Sequence, residues 1–348
     1  MKSKIPFLTR LRYFSVENES VVDRLTGHLL RLRASNGDQI DIDLSSKDEA
    51  KIRRRAKLIW DIREGYVSSR TLKREDRERL KSASTGVTLR GPATEHEVDL
   101  IGAALHDEMP WMRPVTEKIW LDMRSHLQSG GVGVKFSPTL IVGPPGIGKS
   151  HLARRLGELS KSPSMAIDVS ATTEGFSVVG SQRTWGSSTP GRPVQAILET
   201  GVGNPIVVID EICKARIVTS SNGANTSVLH GLLGLLEPVS ARNWDCPYHQ
   251  TSFDMSHVNW ILTANLNDRL PDALRSRMRI VSVPPLTTDH LVQFAEKEVL
   301  KRGLSNEIVE DILRLLSAYP DQHPLRNLRT VTKHLNDIEA LCKMPILV

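Results

Sequence analysis

The sequence has little cysteine, three residues in 348. Cys213, Cys246 and Cys342 stand far apart and form no CxxC pair, which argues against a zinc site or a disulfide framework and leaves buried free thiols as the expectation. Long hydrophobic runs are missing too. No stretch reaches the roughly 18 apolar residues that a membrane helix needs. The opening residues MKSKIPFLTR lack the apolar core of a secretory signal, so a cytoplasmic location is expected. No internal repeat and no low-complexity tract is present, which excludes a solenoid. What remains is the composition of an ordinary soluble protein, 39% hydrophobic and 25% charged, long enough for two or three domains around a substantial core.

Charge is unevenly distributed. Residues 1–90 hold 21 Lys/Arg against 13 Asp/Glu, a surplus of eight, while residues 91–348 hold 25 against 27. The net charge of +6 is therefore a property of the N-terminal region alone.

Three zones are expected. In residues 1–90, a basic and mostly helical region, Gln39, Asp41 and Asp43 alternate with Ile40, Ile42 and Leu44 as in a strand. Helical spacing of Ile52, Ala56, Ile59 and Trp60 follows from Lys47 to Arg63, with Lys51, Arg53, Arg54, Arg55 and Lys57 on the other faces. Gly65 is a breaker, the charged segment Ser69–Ser82 is a second helix supported by pairs such as Glu75–Arg79, and SASTGVTLRGPAT suggests a linker. Residues 91–285 alternate helical patterns with apolar runs at 139–142, 165–169, 205–210, 259–265 and 279–283. Strands too apolar to have a wet face, separated by helices, predict an α/β domain with a parallel sheet covered on both sides. Its lead-in, residues 91–136, is helical, broken by proline turns at Met109–Pro114, with Ala103, Ala104, Leu105, Ile119, Trp120, Leu121 and Leu127 as core. Residues 286–348 show three helical patterns and no strand, a small α-helical lid.

Gly143, Pro144, Pro145, Gly146, Ile147, Gly148, Lys149 and Ser150, with His151 next, fit the phosphate-loop pattern GxxxxGK[ST] between a strand and a helix. Glycines let backbone N–H groups converge on phosphate oxygens, and the helix N-terminus adds its positive end. Lys149 should reach the β- and γ-phosphates of ATP, and Ser150 should ligate Mg²⁺. Sixty residues on, an apolar run ends in Asp210 and Glu211. At the carboxyl edge of a parallel sheet Asp210 would hold the magnesium and Glu211 would polarise the attacking water; a helix cap is the plainer alternative. Asn265 ends the next strand, where its amide can orient that water or simply form a turn. Arg275, Arg277 and Arg279 then precede the last strand, either as a surface cluster or as a source of an arginine that completes a neighbouring subunit's site.

These residues resemble the AAA+ superfamily and, more narrowly, the ATPase module of the Lon proteases, over roughly residues 137–345. The narrower likeness rests on the segment from Arg183 through Trp185 to Pro190 and Gly191, on Leu232–Pro238, on Trp244 and Tyr248, and on Phe253–Ser256 leading into Asn265. The resemblance implies that Asn265 is the sensor-1 residue, that Arg277 is the arginine finger with Arg275 and Arg279 as alternatives, and that Arg326 is the lid's sensor-2 residue with Arg329 nearby. It implies a homo-oligomeric ring, expected to be hexameric, since a finger completes a site only across a subunit boundary. It also makes Trp185 the pore aromatic that grips a protein substrate, or else a half-buried loop tryptophan. Gly186 stands where the family normally has a bulky aliphatic, a loss of about 1.5–3 kcal/mol of apolar burial at one contact.

The Lon peptidase domain would need a further segment beyond Val348, so this polypeptide is not expected to cleave peptide bonds itself. The expectation is an ATP-driven ring that remodels, unfolds or threads protein, with a separately encoded peptidase or effector as partner. The alternative is a DNA-associated regulator that assembles on nucleic acid through the basic N-terminal region, where two helices around Gly65 permit a helix-turn-helix reading.

Overall fold

The computed structural model describes residues 4–9, 18–35, 44–66, 72–169, 175–182, 188–215, 218–219, 225–226, 228–265, 270–320 and 323–343. Five strands form a central sheet: β1 (Thr139–Val142), β2 (Ser164–Asp168), β3 (Ile206–Asp210), β4 (Asn259–Ala264) and β5 (Arg279–Ser282). All neighbours run parallel, in the order β5-β1-β4-β3-β2. The apolar runs of β1, β3 and β4 became strands covered on both faces, whereas the edge strands β2 and β5 are partly exposed. On β3, Val207 and Ile209 enter one core with Trp260 and Leu262 of β4, while Ile206 and Val208 enter the opposite core with Ile261. A period of two thus splits a continuous apolar run between two buried layers.

Helices α1 (Asn18–Ser35), α2 (Ser46–Tyr66) and α3 (Arg74–Ala83) precede the sheet. Helices α4 (Glu95–Glu108) and α5 (Arg113–Gln128) form the lead-in, and α6 (Lys149–Ser160) follows β1. The prolines between α4 and α5 sit where their missing N–H groups cost nothing: Pro110 opens a 3₁₀ turn and Pro114 lies in the first turn of α5. These helices bury Val98, Ile101, Leu105, Trp111, Met112, Val115, Ile119 and Met123 against one face of the sheet. Ala103 and Leu121, expected in that core, are exposed, because the buried faces of α4 and α5 run through the other set of positions. The opposite face is covered by α7 (Gly175–Val179), α8 (Arg192–Thr200), α9 (Val228–Leu236) and α10 (Pro238–Ala241). After the short α11 (Asp272–Arg275), three helices form the lid: α12 (Thr288–Arg302), α13 (Glu307–Ser317) and α14 (Leu328–Lys343). They share a small core of Leu291, Ala295, Val299, Ile312, Leu316, Val331 and Leu335.

Two readings of the N-terminal zone need correction. The stretch taken as a linker is built into the fold: Val87–Thr88 pairs with Lys4–Ile5, Thr88 bridges Val202, and Val87, Leu80 and Leu72 are buried in the main core with Phe7. Apolar area, which the sequence presents as isolated residues among glycines and serines, is what holds it there. The breaker Gly65 lies in the last turn of α2, which ends at Tyr66. Arg79 reaches Glu199 of α8 at 3.4 Å rather than Glu75. The strand expected at 39–44 lies mostly outside the described residues, as does Trp185 with the rest of 183–187. Cys246 is buried and Cys213 half-buried. Among the described residues no helix is long and apolar enough to cross a membrane.

Candidate active site

The carboxyl edge of the sheet opens onto a cavity of about 1180 Å³, walled by the phosphate loop, the tips of β2, β3 and β4, the α4–α5 turn and the lid. Its shape begins with two glycines. Gly146 and Gly148 have φ of +77° and +94°, a left-handed backbone that side chains avoid. At Gly146 a Cβ would also come within 2.8 Å of Asn327, because the lid rests on the loop and Leu328 donates its N–H to the Gly146 carbonyl at 3.1 Å. Gly143 is equally constrained, since a Cβ there would lie 2.7 Å from the Val283 carbonyl oxygen.

Lys149 opens α6 and is buried, with Nζ donating to the carbonyls of Gly143 at 2.7 Å and Pro144 at 2.9 Å and to Asn265 Oδ1 at 3.2 Å. Burial pushes its pKa down, and the negative charges of Asp210 and Glu211 oppose that shift. Ser150 Oγ lies 2.8 Å from both carboxylate oxygens of Asp210. Hard oxygen donors from the helix start and the β3 tip thus converge, which is the donor chemistry Mg²⁺ takes. Asn265 sits one residue beyond the end of β4, within reach of Lys149, and lines the same cavity with Pro145, His151 and Glu211. His151 is bonded to Arg154 at 2.9 Å, and burial lowers its pKa. Ile147 turns inward to the core, and its carbonyl accepts from Trp111 Nε1 at 2.9 Å.

Glu211 has an unusual backbone for a glutamate, φ 54° and ψ 41°. Such a conformation costs about 1–2 kcal/mol and persists where surroundings over-determine it. Here the Glu211 N–H donates to Thr263 Oγ1 at 3.1 Å, and Lys214 Nζ donates to Glu211 Oε2 at 2.7 Å. The same Thr263 hydroxyl donates to Asp210 Oδ1 at 2.7 Å, so one buried hydroxyl on β4 sets both members of the acidic pair.

The arginines divide. Arg277 does not line the cavity of its own chain; its Nε is 3.4 Å from Glu237 Oε2 and its guanidinium donates to the Ala273 carbonyl. Arg279 is held 3.0 Å from Asp122 of α5, and Arg275 is 3.6 Å from Asp272. In the lid, Arg329 lines the cavity, whereas Arg326 donates to the Tyr319 carbonyl at 3.2 Å and to the Thr288 hydroxyl.

Residues 139–286 match the ATPase family associated with various cellular activities (AAA). Residues 139–286 form an AAA domain. It is 31% identical over 211 residues to the Lon protease of Syntrophus aciditrophicus, covering 58% of this chain and 25% of that protein. Lon protease 2 of Syntrophobacter fumaroxidans is 31% identical over 197 residues (54% and 24%), and the Lon protease of Campylobacter concisus 32% over 219 residues (60% and 27%). The chain thus spans about a quarter of the length of these curated relatives, and its AAA module is similar to theirs.

Several cavity residues carry no motif. Trp111 fixes the phosphate loop from the lead-in and packs on Phe294 of the lid, centroids 6.4 Å apart. Arg155 pairs with Glu108 at 2.7 Å, and Lys297 ties the lid to Asp107 at 2.9 Å. A tryptophan between two prolines was the one sequence signal available; for Thr263, two residues before Asn265 on an apolar strand, the signal was a hydroxyl inside a hydrophobic run.

Proposed function

We propose that the chain binds and hydrolyses ATP in a ring of identical subunits and uses the cycle to unfold or thread a protein substrate for a separate peptidase or effector. The observation that carries the ATPase reading is the single cluster in which Lys149, Ser150, Asp210, Thr263, Glu211 and Asn265 face one cavity beneath a helical lid. The loop glycines and the start of α6 present N–H groups to the phosphates. Lys149 releases its loop carbonyls to meet the β- and γ-phosphates. Ser150 and Asp210 would hold Mg²⁺, which neutralises charge on the phosphate oxygens when bound. Glu211, once parted from Lys214, accepts a proton from the attacking water, and Asn265 orients that water. A lid arginine, Arg329 by position in this structure or Arg326 by resemblance, follows the γ-phosphate.

The ring is supported by Arg277, which stands outside its own cavity and acts on that of a neighbour. Protein as the substrate is supported by the likeness to Lon proteases and by Trp185 in the segment that resembles their pore loop. The test is an ATPase assay of wild type and Glu211→Gln with unfolded casein and with DNA in parallel. Wild type should be accelerated by casein, with ATP consumed and no peptides released by the chain alone, and Glu211→Gln should bind ATP with little turnover. Near-normal turnover in Glu211→Gln would reject the site assignment, and acceleration by DNA but not casein would reject the protein substrate.

A further inference from the structure

We infer that Lys214 is a positioning residue that gates hydrolysis: its ammonium alternates between Glu211 and Asp168, and the base is free only while Lys214 sits on Asp168. The inference rests on the ATPase reading above, with Glu211 as the base. The backbone around the pair is fixed. Ile212, buried in the main core, anchors a 3₁₀ turn (Ile212–Lys214) directly after β3, and the Lys214 N–H donates to the Glu211 carbonyl at 2.8 Å. Glu211 is held from the other side by Thr263. The side chains are less confined, since Lys214 is 53% exposed and Glu211 37%. Breaking the 2.7 Å contact from Nζ to Oε2 therefore needs rotation of two side chains and no movement of the sheet.

The contact matters because a carboxylate oxygen that accepts from an ammonium has its charge and a lone pair engaged. It takes a proton from water only after that bond opens. By position Lys214 is not a second phosphate ligand. Glu211 lines the cavity and Lys214 does not, so the ammonium holds the carboxylate from outside, while Lys149 serves the phosphate loop. The alternative seat is Asp168, which ends β2, stands opposite Asp210 in the parallel register and lines the same cavity. The hydrogen bond to Glu211 and its charge raise the Lys214 pKa, and the Asp168 charge adds to this from the neighbouring strand tip. One cation thus stands between two carboxylates on adjacent strands, and it can satisfy one while releasing the other.

The experiment measures the single-turnover rate of ATP hydrolysis by the full chain, with KM from steady state, for Lys214→Met, Lys214→Arg, Asp168→Asn, Glu211→Gln and the double change Lys214→Met with Asp168→Asn. An exposed ion pair of this kind biases an equilibrium about two- to fivefold, so Lys214→Met should raise the rate by that factor. KM for ATP should stay within about twofold, because the phosphate contacts are untouched. Lys214→Arg keeps the pair and should stay near wild type. Asp168→Asn should lower the rate about two- to fivefold by leaving Lys214 on Glu211, and this loss should vanish in the double variant. A lysine that only supports the turn would instead give a lower rate and additive losses. Melting curves check folding, and Lys214→Gln replaces the methionine variant if that one is unfolded. An unchanged or lower rate in folded Lys214→Met, a raised KM, or an Asp168→Asn loss that persists without Lys214 would overturn the proposal. Glu211→Gln separates this outcome from failure of the reading beneath it. Near-normal turnover there rejects the base itself, whereas an inactive Glu211→Gln beside an unaccelerated Lys214→Met rejects the gate alone.

Discussion

Replacing Thr263 by valine keeps shape and volume but deletes the hydroxyl that links Asp210 and Glu211. Two bonds go: the donation to Asp210 Oδ1 at 2.7 Å and the acceptance from Glu211 N–H at 3.1 Å. A hydrogen bond to a charged group contributes about 1.5–3 kcal/mol, and a buried N–H left without an acceptor costs about 1–3 kcal/mol. The second loss removes the constraint that holds Glu211 in its left-handed conformation. If about 3 kcal/mol of the combined effect is felt at the transition state, kcat falls about 100-fold. Lys149 and the loop glycines are untouched, so nucleotide affinity should stay within about threefold. Steady-state ATPase assays and titration with a fluorescent ATP analogue separate the two effects. Thr263→Ser, which retains the hydroxyl, should recover most of the rate, and a melting curve checks that valine has not loosened the sheet. A folded Thr263→Val enzyme with kcat within about threefold of wild type would refute the claim that this hydroxyl organises the acidic pair.

Other expectations follow from the same geometry. Arg329→Ala should raise the KM for ATP or lower kcat about tenfold, by loss of one charge-assisted contact of about 1.4 kcal/mol, while Arg326→Ala acts mainly on lid stability through Tyr319 and Thr288; the reverse pattern in kinetics and melting would assign Arg326 to the phosphate. Arg277→Ala and Lys149→Ala should each be nearly inactive alone, and mixing them should restore activity above the sum; a merely additive mixture would mean that Arg277 does not act across a subunit boundary. Lys135 donates to the carbonyls of Ser256 at 2.6 Å and Val258 at 3.3 Å, and burial lowers its pKa from 10.5 to about 8. Between those two values the unfolded chain keeps the proton that the folded chain has lost, so stability rises with pH there and falls as pH drops through about 8. Urea midpoints of wild type and Lys135→Met should therefore diverge in favour of wild type from pH 7.5 to 9.5, by on the order of 1–2 kcal/mol, and parallel curves would remove the lysine as the cause.

Much of the fold was legible because its signals are local. Apolar runs bounded by polar residues located each of the five strands to within a residue or two, and the phosphate loop is contiguous, its function resting on backbone N–H groups and one lysine. Asp210 and Glu211 were visible for the same reason, as charge at the end of an apolar strand. The contacts that only tertiary structure decided join residues far apart in the chain. Trp111 reaches Ile147 across 36 positions, and Thr263 reaches Asp210 across 53. The docking of Phe7, Leu72 and Val87 depends on apolar surface supplied by later elements, which is why residues 82–94 looked like a linker. Ala103 and Leu121 were misplaced because helical spacing defines a stripe but not which stripe the sheet will cover. The lid arginines differ for a like reason: motif spacing favours Arg326, and the packing of α14 against the loop turns Arg329 to the cavity. Sequence alone determined the chemistry on offer at the strand tips, because that chemistry is carried by residue type and local backbone; which side chains converge on it was decided by packing, because convergence is a property of the whole chain's buried surface.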